Sequence, residues 1–114
     1  MKKDRLIQLP KFADARGWSL NGIYDMFEGQ EFQINYSILY PGIVKAWHRH
    51  QHQDDYFCIL KGMAQVGIVN EHGATKYFIG EHNPAVVHVK AGEWHGLTCV
   101  GNEPCGLLYL VTKK

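Results

Sequence analysis

Three histidines on alternate residues, His48, His50 and His52, run into two adjacent acids, Asp54 and Asp55. In an extended strand successive side chains point to opposite faces, so the three imidazoles share one face. A neutral imidazole is only intermediately suited to burial and still needs polar partners for its ring nitrogens. Single histidines on a solvated strand edge need no explanation, whereas a run of this kind marks a site. Imidazoles beside a carboxylate suit a divalent metal, and an imidazole titrating near neutrality also suits proton transfer.

The elements that must position these residues are short. Residues 43–50 are expected as the strand carrying the histidines, entered through the turn Pro41-Gly42. Residues 31–40 form the cleanest strand: Phe32, Ile34, Tyr36, Ile38 and Tyr40 alternate with Gln33, Asn35 and Ser37, so one side faces a core. Further strands are expected at 6–9, 18–24, 56–60, 63–70, 75–80, 85–90, 97–100 and 106–112. Glu28-Gly29-Gln30, Asn70-Glu71-His72-Gly73 and Gly101-Asn102-Glu103-Pro104 read as turns, and Ala91-Gly92-Glu93 delivers Trp94-His95. Many short strands with regular turns describe an all-β sandwich or barrel. The 114 residues form one domain, 1–114, large enough to bury about two-thirds of the surface of its unfolded chain.

Composition excludes several partners. The formal charge is +1 with acids and bases mixed, which leaves no basic stripe for nucleic acid. No run approaches the ~20 apolar residues of a membrane span. The apolar run behind the basic start stops at Pro10, so no secretory leader is expected. Cys58, Cys99 and Cys105 lack any CxxC spacing and read as reduced thiols of a cytoplasmic protein. His72, His82 and His88 are expected to be surface or structural residues.

Gly42, His48, His50, Asp55 and Gly62 resemble, in type and spacing, the first signature of the cupin barrel, with aspartate where glutamate is commoner. Gly92-Glu93-Trp94-His95 resembles part of the second. The resemblance implies a double-stranded β-helix, or jelly-roll, fold. It also implies a metal set of His48, His50, Asp55 and His95 facing the barrel interior. Such donors suit one divalent transition metal (zinc, nickel, manganese or iron) with positions left for water or substrate, and no organic cofactor is implied. Asp54 and His52 are expected to be exposed loop residues.

A second likeness spans nearly the whole chain. Asp14, Arg16, Gly17 and Trp18, then Lys45-Ala46-Trp47-His48, Gly92-Glu93-Trp94-His95-Gly96 and Leu107-Leu108-Tyr109 resemble, in order and approximate spacing, the motifs of the dTDP-4-dehydrorhamnose 3,5-epimerase family. That likeness implies His48 as the base that removes a proton beside a sugar ketone and Tyr109 as the acid that returns one. Arg16 and Lys45 would meet the diphosphate of a nucleotide-sugar, and Trp94 would stack on a base or sugar. Asp55 stands where the family has an enolate-stabilising lysine, and a carboxylate opposes developing negative charge.

A metal on His48 would occupy the lone pair a base uses. Both roles coexist where the metal polarises a carbonyl as a Lewis acid and another group takes the proton. The expectation is therefore a small metal-capable cupin acting on a carbonyl-bearing sugar. An iron-dependent dioxygenase and a non-catalytic sugar-binding module are the alternatives. Trp47, on the face opposite His48, together with Tyr24 and Phe27, implies a covered face and, on the family likeness, a homodimer.

Overall fold

The computed structural model describes residues 5–27 and 29–112, so Glu28 of the expected break lies outside the described residues, as do residues 1–4 and 113–114. In chain order the strands are β1 (Leu6–Gln8), β2 (Phe12–Asp14), β3 (Gly17–Ser19), β4 (Phe32–Leu39), β5 (Val44–His48) and β6 (Asp55–Lys61). They continue as β7 (Met63–Asn70), β8 (Gly73–Gly80), β9 (Ala85–Val89), β10 (Trp94–Val100) and β11 (Cys105–Thr112). A single 3-10 turn, Asp25–Phe27, precedes β4. No α-helix occurs among the described residues, and none of their helices is long and apolar enough to cross a membrane.

Every pairing is antiparallel. A five-stranded sheet runs β1-β9-β6-β11-β4, a four-stranded sheet runs β5-β10-β7-β8, and β2 and β3 form a separate hairpin. Phe57, Ile59, Val87 and Val89 of the first sheet meet Val66, Ile68 and Leu97 of the second in the main core. This is the all-β jelly-roll barrel that the cupin motifs imply.

β6 and β9 lack a polar–apolar alternation because both their faces are covered. Their outward residues Tyr56, Cys58 and Val86 lie under Ile7, Leu9, Ile23, Tyr24 and Phe27 of the N-terminal segment. That packing also explains why residues 18–24 are not one strand. β3 stops at Ser19, Gly22 takes a φ of +67°, and the chain turns to lay Tyr24 and Phe27 on the sheet. The Tyr24 hydroxyl then sits 3.3 and 3.2 Å from the carbonyl oxygens of Tyr56 and Leu108.

β4 alternates as expected, but in an unexpected sense. Ser37 and Leu39 look into the barrel, while Ile34, Tyr36, Ile38 and Tyr40 point outward and remain exposed. The N-terminal cover reaches over β6, β9 and β11, and Phe27 approaches Phe32 of this edge strand at 5.8 Å between ring centroids.

Asp54, expected as an exposed loop residue, is a half-buried brace. Its Oδ2 lies 2.9 Å from His88 Nε2, and its Oδ1 accepts the Ala91 N–H at 2.9 Å. Its own N–H donates to Thr112 Oγ1 at 2.9 Å. The His88 ring is buried and stacks on Tyr56 with centroids 4.1 Å apart. Burial lowers its pKa below the ordinary value, even though Asp54 pulls the other way.

Glu93 ties the frame together. Arg5 grips its carboxylate with two bonds of 2.8 and 2.7 Å, Asn70 Nδ2 donates at 2.6 Å, and the Lys90 N–H donates at 2.8 Å. One carboxylate thus joins the start of β1, the end of β7 and the turn that launches β10. Two parallel charge-assisted bonds fix orientation as well as supplying energy. Burial by itself would raise the Glu93 pKa from its ordinary 4.5, but these donors outweigh it and hold the carboxyl down at about 2.

Because the folded value lies below the unfolded one, the contribution is complete above pH ~4.5 and is lost as pH falls towards about 2. Glu93→Gln is therefore expected to lower Tm at pH 7 and to flatten the loss of Tm between pH 5 and pH 2.5. Thermal unfolding followed by circular dichroism across that range checks both. An unchanged pH profile would show that the acid sensitivity arises elsewhere.

Candidate functional site

One open cavity of about 220 Å³ lies between the two sheets and gathers Lys45, His48, His50, Asp55, His95 and Tyr109. Strand pairing explains how residues far apart in sequence meet there. His95 pairs directly with His48 across β10 and β5. On the other sheet, Tyr109 pairs with Phe57, two residues along β6 from Asp55. The histidines and Tyr109 therefore occupy opposing walls.

Asp55 opens β6 with its side chain turned inward and only 6% exposed. Its Oδ2 lies 3.4 Å from His95 Nε2 and 3.6 Å from His50 Nε2, while Gln53 Nε2 donates to its Oδ1 at 2.9 Å. The ligand atoms of His50, Asp55 and His95 all fall within 4.8 Å of one another. The ring of His48 stands farther off, 6.2 Å from that of His95 between centroids, and is not in this close group. The strand bearing the histidines also ends sooner than the alternate spacing suggests. β5 stops at His48, and His50 lies on the following loop, where its carbonyl accepts the Gly92 N–H at 2.8 Å. His52 is exposed on that loop, as expected.

His95 is almost wholly buried, and its Nδ1 has no hydrogen-bond partner among the described residues. Burial lowers its pKa below the ordinary value; the Asp55 charge and the nearby Glu93 backbone, whose contact with the ring falls short of a well-formed hydrogen bond, oppose this, and the His50 and His48 rings add to the lowering. A neutral imidazole facing a carboxylate at a distance too long for a good hydrogen bond leaves acceptor capacity pointing at a common spot.

The donors fit a metal. Bonds of ~2.1 Å in a tetrahedron place neighbouring ligand atoms about 3.4 Å apart, close to the two separations around Asp55 Oδ2. Two imidazoles and one carboxylate match the donor chemistry of zinc, iron, nickel or manganese and leave coordination positions towards the cavity.

Two residues expected to touch substrate lie outside this cavity. Trp94 neighbours His95 on β10 and so faces the other way, its ring carrying the Arg49 guanidinium at 4.8 Å. Arg16 sits on the β2–β3 hairpin with its side chain 91% exposed and paired to Asp14 at 2.6 Å. Lys45 and Tyr109, by contrast, both line the cavity. Phe57, not singled out in the sequence, packs between the working groups, its ring 5.5 Å from His95 and 5.9 Å from Tyr109 between centroids. Only its place two residues beyond Asp55 on an inward-facing strand could have marked it.

No family model matches the chain. It is 39% identical over 107 residues to the probable low-salt glycan biosynthesis epimerase Agl13 of Haloferax volcanii, an alignment covering 84% of this chain and 69% of that protein. It is 33% identical over 114 residues to the spore coat polysaccharide biosynthesis protein SpsL of Bacillus subtilis, covering 92% of this chain and 76% of that protein. Among solved structures, a dTDP sugar isomerase from Desulfovibrio desulfuricans superposes with a TM-score of 0.83 at 21% identity, covering 95% of this chain and 75% of that one. The epimerase RmlC of Legionella pneumophila, solved with dTDP-4-keto-L-rhamnose, superposes with a TM-score of 0.80 at 17% identity, covering 96% and 66%. The two structures share the fold, and the two sequence relatives share much more of the chain's residues. On barrel, motifs and relatives together, the chain belongs to the RmlC-like family of cupin-fold sugar-biosynthesis epimerases.

Proposed function

We propose that the protein moves a proton beside the carbonyl of a nucleotide-sugar, with His48 as base and Tyr109 as acid. The observation that carries this reading is the placement of these two side chains on opposing walls of one cavity. His48 takes the proton from the carbon next to the carbonyl, and the electron pair moves onto the carbonyl oxygen. Tyr109 then returns a proton to the opposite face of that carbon, which inverts the centre. Positioned proton transfer of this kind contributes roughly two to four decades in rate. Lys45 supplies a cation on the cavity wall for the diphosphate.

His50, Asp55 and His95 would hold one divalent metal, which supplies Lewis-acid polarisation of a substrate carbonyl in place of the family's lysine. Because the close donor group does not need His48, base and metal no longer compete for one lone pair. The outward apolar row of β4, with Tyr36 58% and Tyr40 67% exposed, supports a second copy of the chain as its cover. A second copy is also the route by which an exposed Arg16 could reach a nucleotide-sugar diphosphate.

Proton transfer is checked by incubating the protein with a 4-keto nucleotide-sugar in D2O and following carbon-bound deuterium by NMR. Wild type is expected to exchange the proton next to the carbonyl, and His48→Asn to slow this by about 100-fold or more. Exchange at the wild-type rate in His48→Asn would remove that residue as base.

Metal binding is checked by titrating chelator-treated protein with zinc, nickel or manganese in a calorimeter. One ion per chain is expected, with Asp55→Asn weakening it at least tenfold and His48→Asn leaving it within about twofold. Failure of all three ions to bind would dismiss the metal.

Assembly is checked by light scattering at micromolar concentration, where a mass twice the 13.0 kDa of one chain is expected. A mass of one chain would leave the β4 row without its proposed cover.

A further inference from the structure

At the end of the barrel away from the histidines, two cysteines meet. Cys99 Sγ and Cys105 Sγ lie 2.9 Å apart, and both residues are almost fully buried. Cys99 belongs to β10 of the four-stranded sheet and Cys105 to β11 of the five-stranded sheet, so the contact crosses from one sheet to the other. Each thiol also reaches a backbone carbonyl, Cys99 that of Glu103 at 3.1 Å and Cys105 that of Met63 at 2.9 Å. Cys58 takes no part, since it packs in the separate outer cluster with Tyr56 and Val86. Neither cysteine lines the cavity, which along β10 and β11 reaches only to Leu97 and Leu107, two residues from each, and along β11 Cys105 is four residues, or ~13 Å of strand, from Tyr109.

We infer that Cys99 and Cys105 form a reversible redox staple that, when oxidised, locks the two sheets together at this end of the barrel. Five residues, 100–104, lie between the two along the chain, and 101–104 are all exposed. The turn is where an oxidant gains access when it opens. Burial and the neighbouring thiol push the Cys105 thiol up to about 12, so reaction waits on that opening rather than on the closed state.

With hydrogen peroxide as oxidant, one thiolate attacks the O–O bond, takes up one oxygen as a sulfenic acid and releases hydroxide. The second thiolate then attacks that sulfur and a second hydroxide leaves. Both hydroxides are protonated by the two displaced thiol protons, giving two waters and one disulfide. The two sulfurs lose two electrons and the peroxide gains them. Closing the bridge removes freedom from the unfolded chain, so the oxidised form unfolds at a higher temperature.

The test treats the folded full chain with peroxide, or with oxidised glutathione, followed by thiol counting in denaturant, intact mass and peptide mapping. The expected result is a fall from three free thiols to one, a mass loss of about 2 Da, and a single cross-linked peptide pair containing Cys99 and Cys105. Tm is expected to rise by about 5–10 °C and to return on reduction with dithiothreitol. Cys58→Ser is expected to behave as wild type, which keeps the test independent of whether variants at 99 or 105 fold. Three thiols persisting under conditions that oxidise the denatured chain would overturn the inference. A bridge involving Cys58, or an oxidised form with a lower Tm, would overturn it equally.

Discussion

Successive side chains of a strand cannot face the same way, and at the head of β6 this rule sends two neighbouring carboxylates to opposite sides of one sheet. Asp55 turns inward to the imidazoles, and Asp54 turns outward to His88 and the Ala91 N–H. Two adjacent like charges are thereby kept apart, each with a polar partner in a place where an unpaired carboxylate would be costly. The same residue pair supplies the floor of the cavity and pins the β9–β10 turn that delivers His95. The outward brace thus adds to the β6 pairings with β9 and β11 in fixing the inward geometry.

The division of labour between the sheets follows. The four-stranded sheet contributes His48, His95 and Lys45, the loop after β5 contributes His50, and the five-stranded sheet contributes Asp55 and Tyr109. The cavity between them therefore has imidazoles on one wall and the Tyr109 side chain on the other, the arrangement on which the proposed inversion of a carbon centre rests. Replacing a lysine by Asp55 would be self-defeating if the carboxylate acted alone on an enolate. Its close approach to His50 and His95 is what supports the proposed donor set instead.

Much of this was legible in the chain itself. The motif glycines and histidines name the barrel, and the 63–70 strand and its following hairpin fall where alternation and Asn70-Glu71-His72-Gly73 place them. Alternation is silent about which face is inside, however. In β4 Ser37 and Leu39 line the cavity and the set with Ile34, Tyr36 and Ile38 faces out, the reverse of the usual reading of an amphipathic strand. The histidine spacing likewise suggested one extended strand, whereas the Gly92 bond to the His50 carbonyl ends that strand early and folds the loop inward. The Asp54 and Glu93 braces escape a local reading because their partners His88 and Arg5 lie 34 and 88 residues away, a distance no local pattern spans.

The closing glycine of the first motif, Gly62, shows what such patterns encode. Its φ is +76°, and a Cβ there would meet the Pro104 carbonyl at 3.0 Å and Cys105 Sγ at 3.2 Å. Backbone shape and close packing both demand the missing side chain.

β5 has a different lesson. It is the edge of its sheet, it pairs with β10 alone, its register shifts near His95, and all five of its residues are exposed. β6, which starts with Asp55, has neighbours on both sides and is buried for most of its length. Local opening is cheapest where backbone pairs are few and apolar contacts are sparse. The two sides of the cavity thus differ in support: the proposed base rides on an edge strand, and Asp55 is set in a strand paired on both sides. Movement along β5 would carry His48 and the following loop with His50, while Asp55 stays anchored in β6.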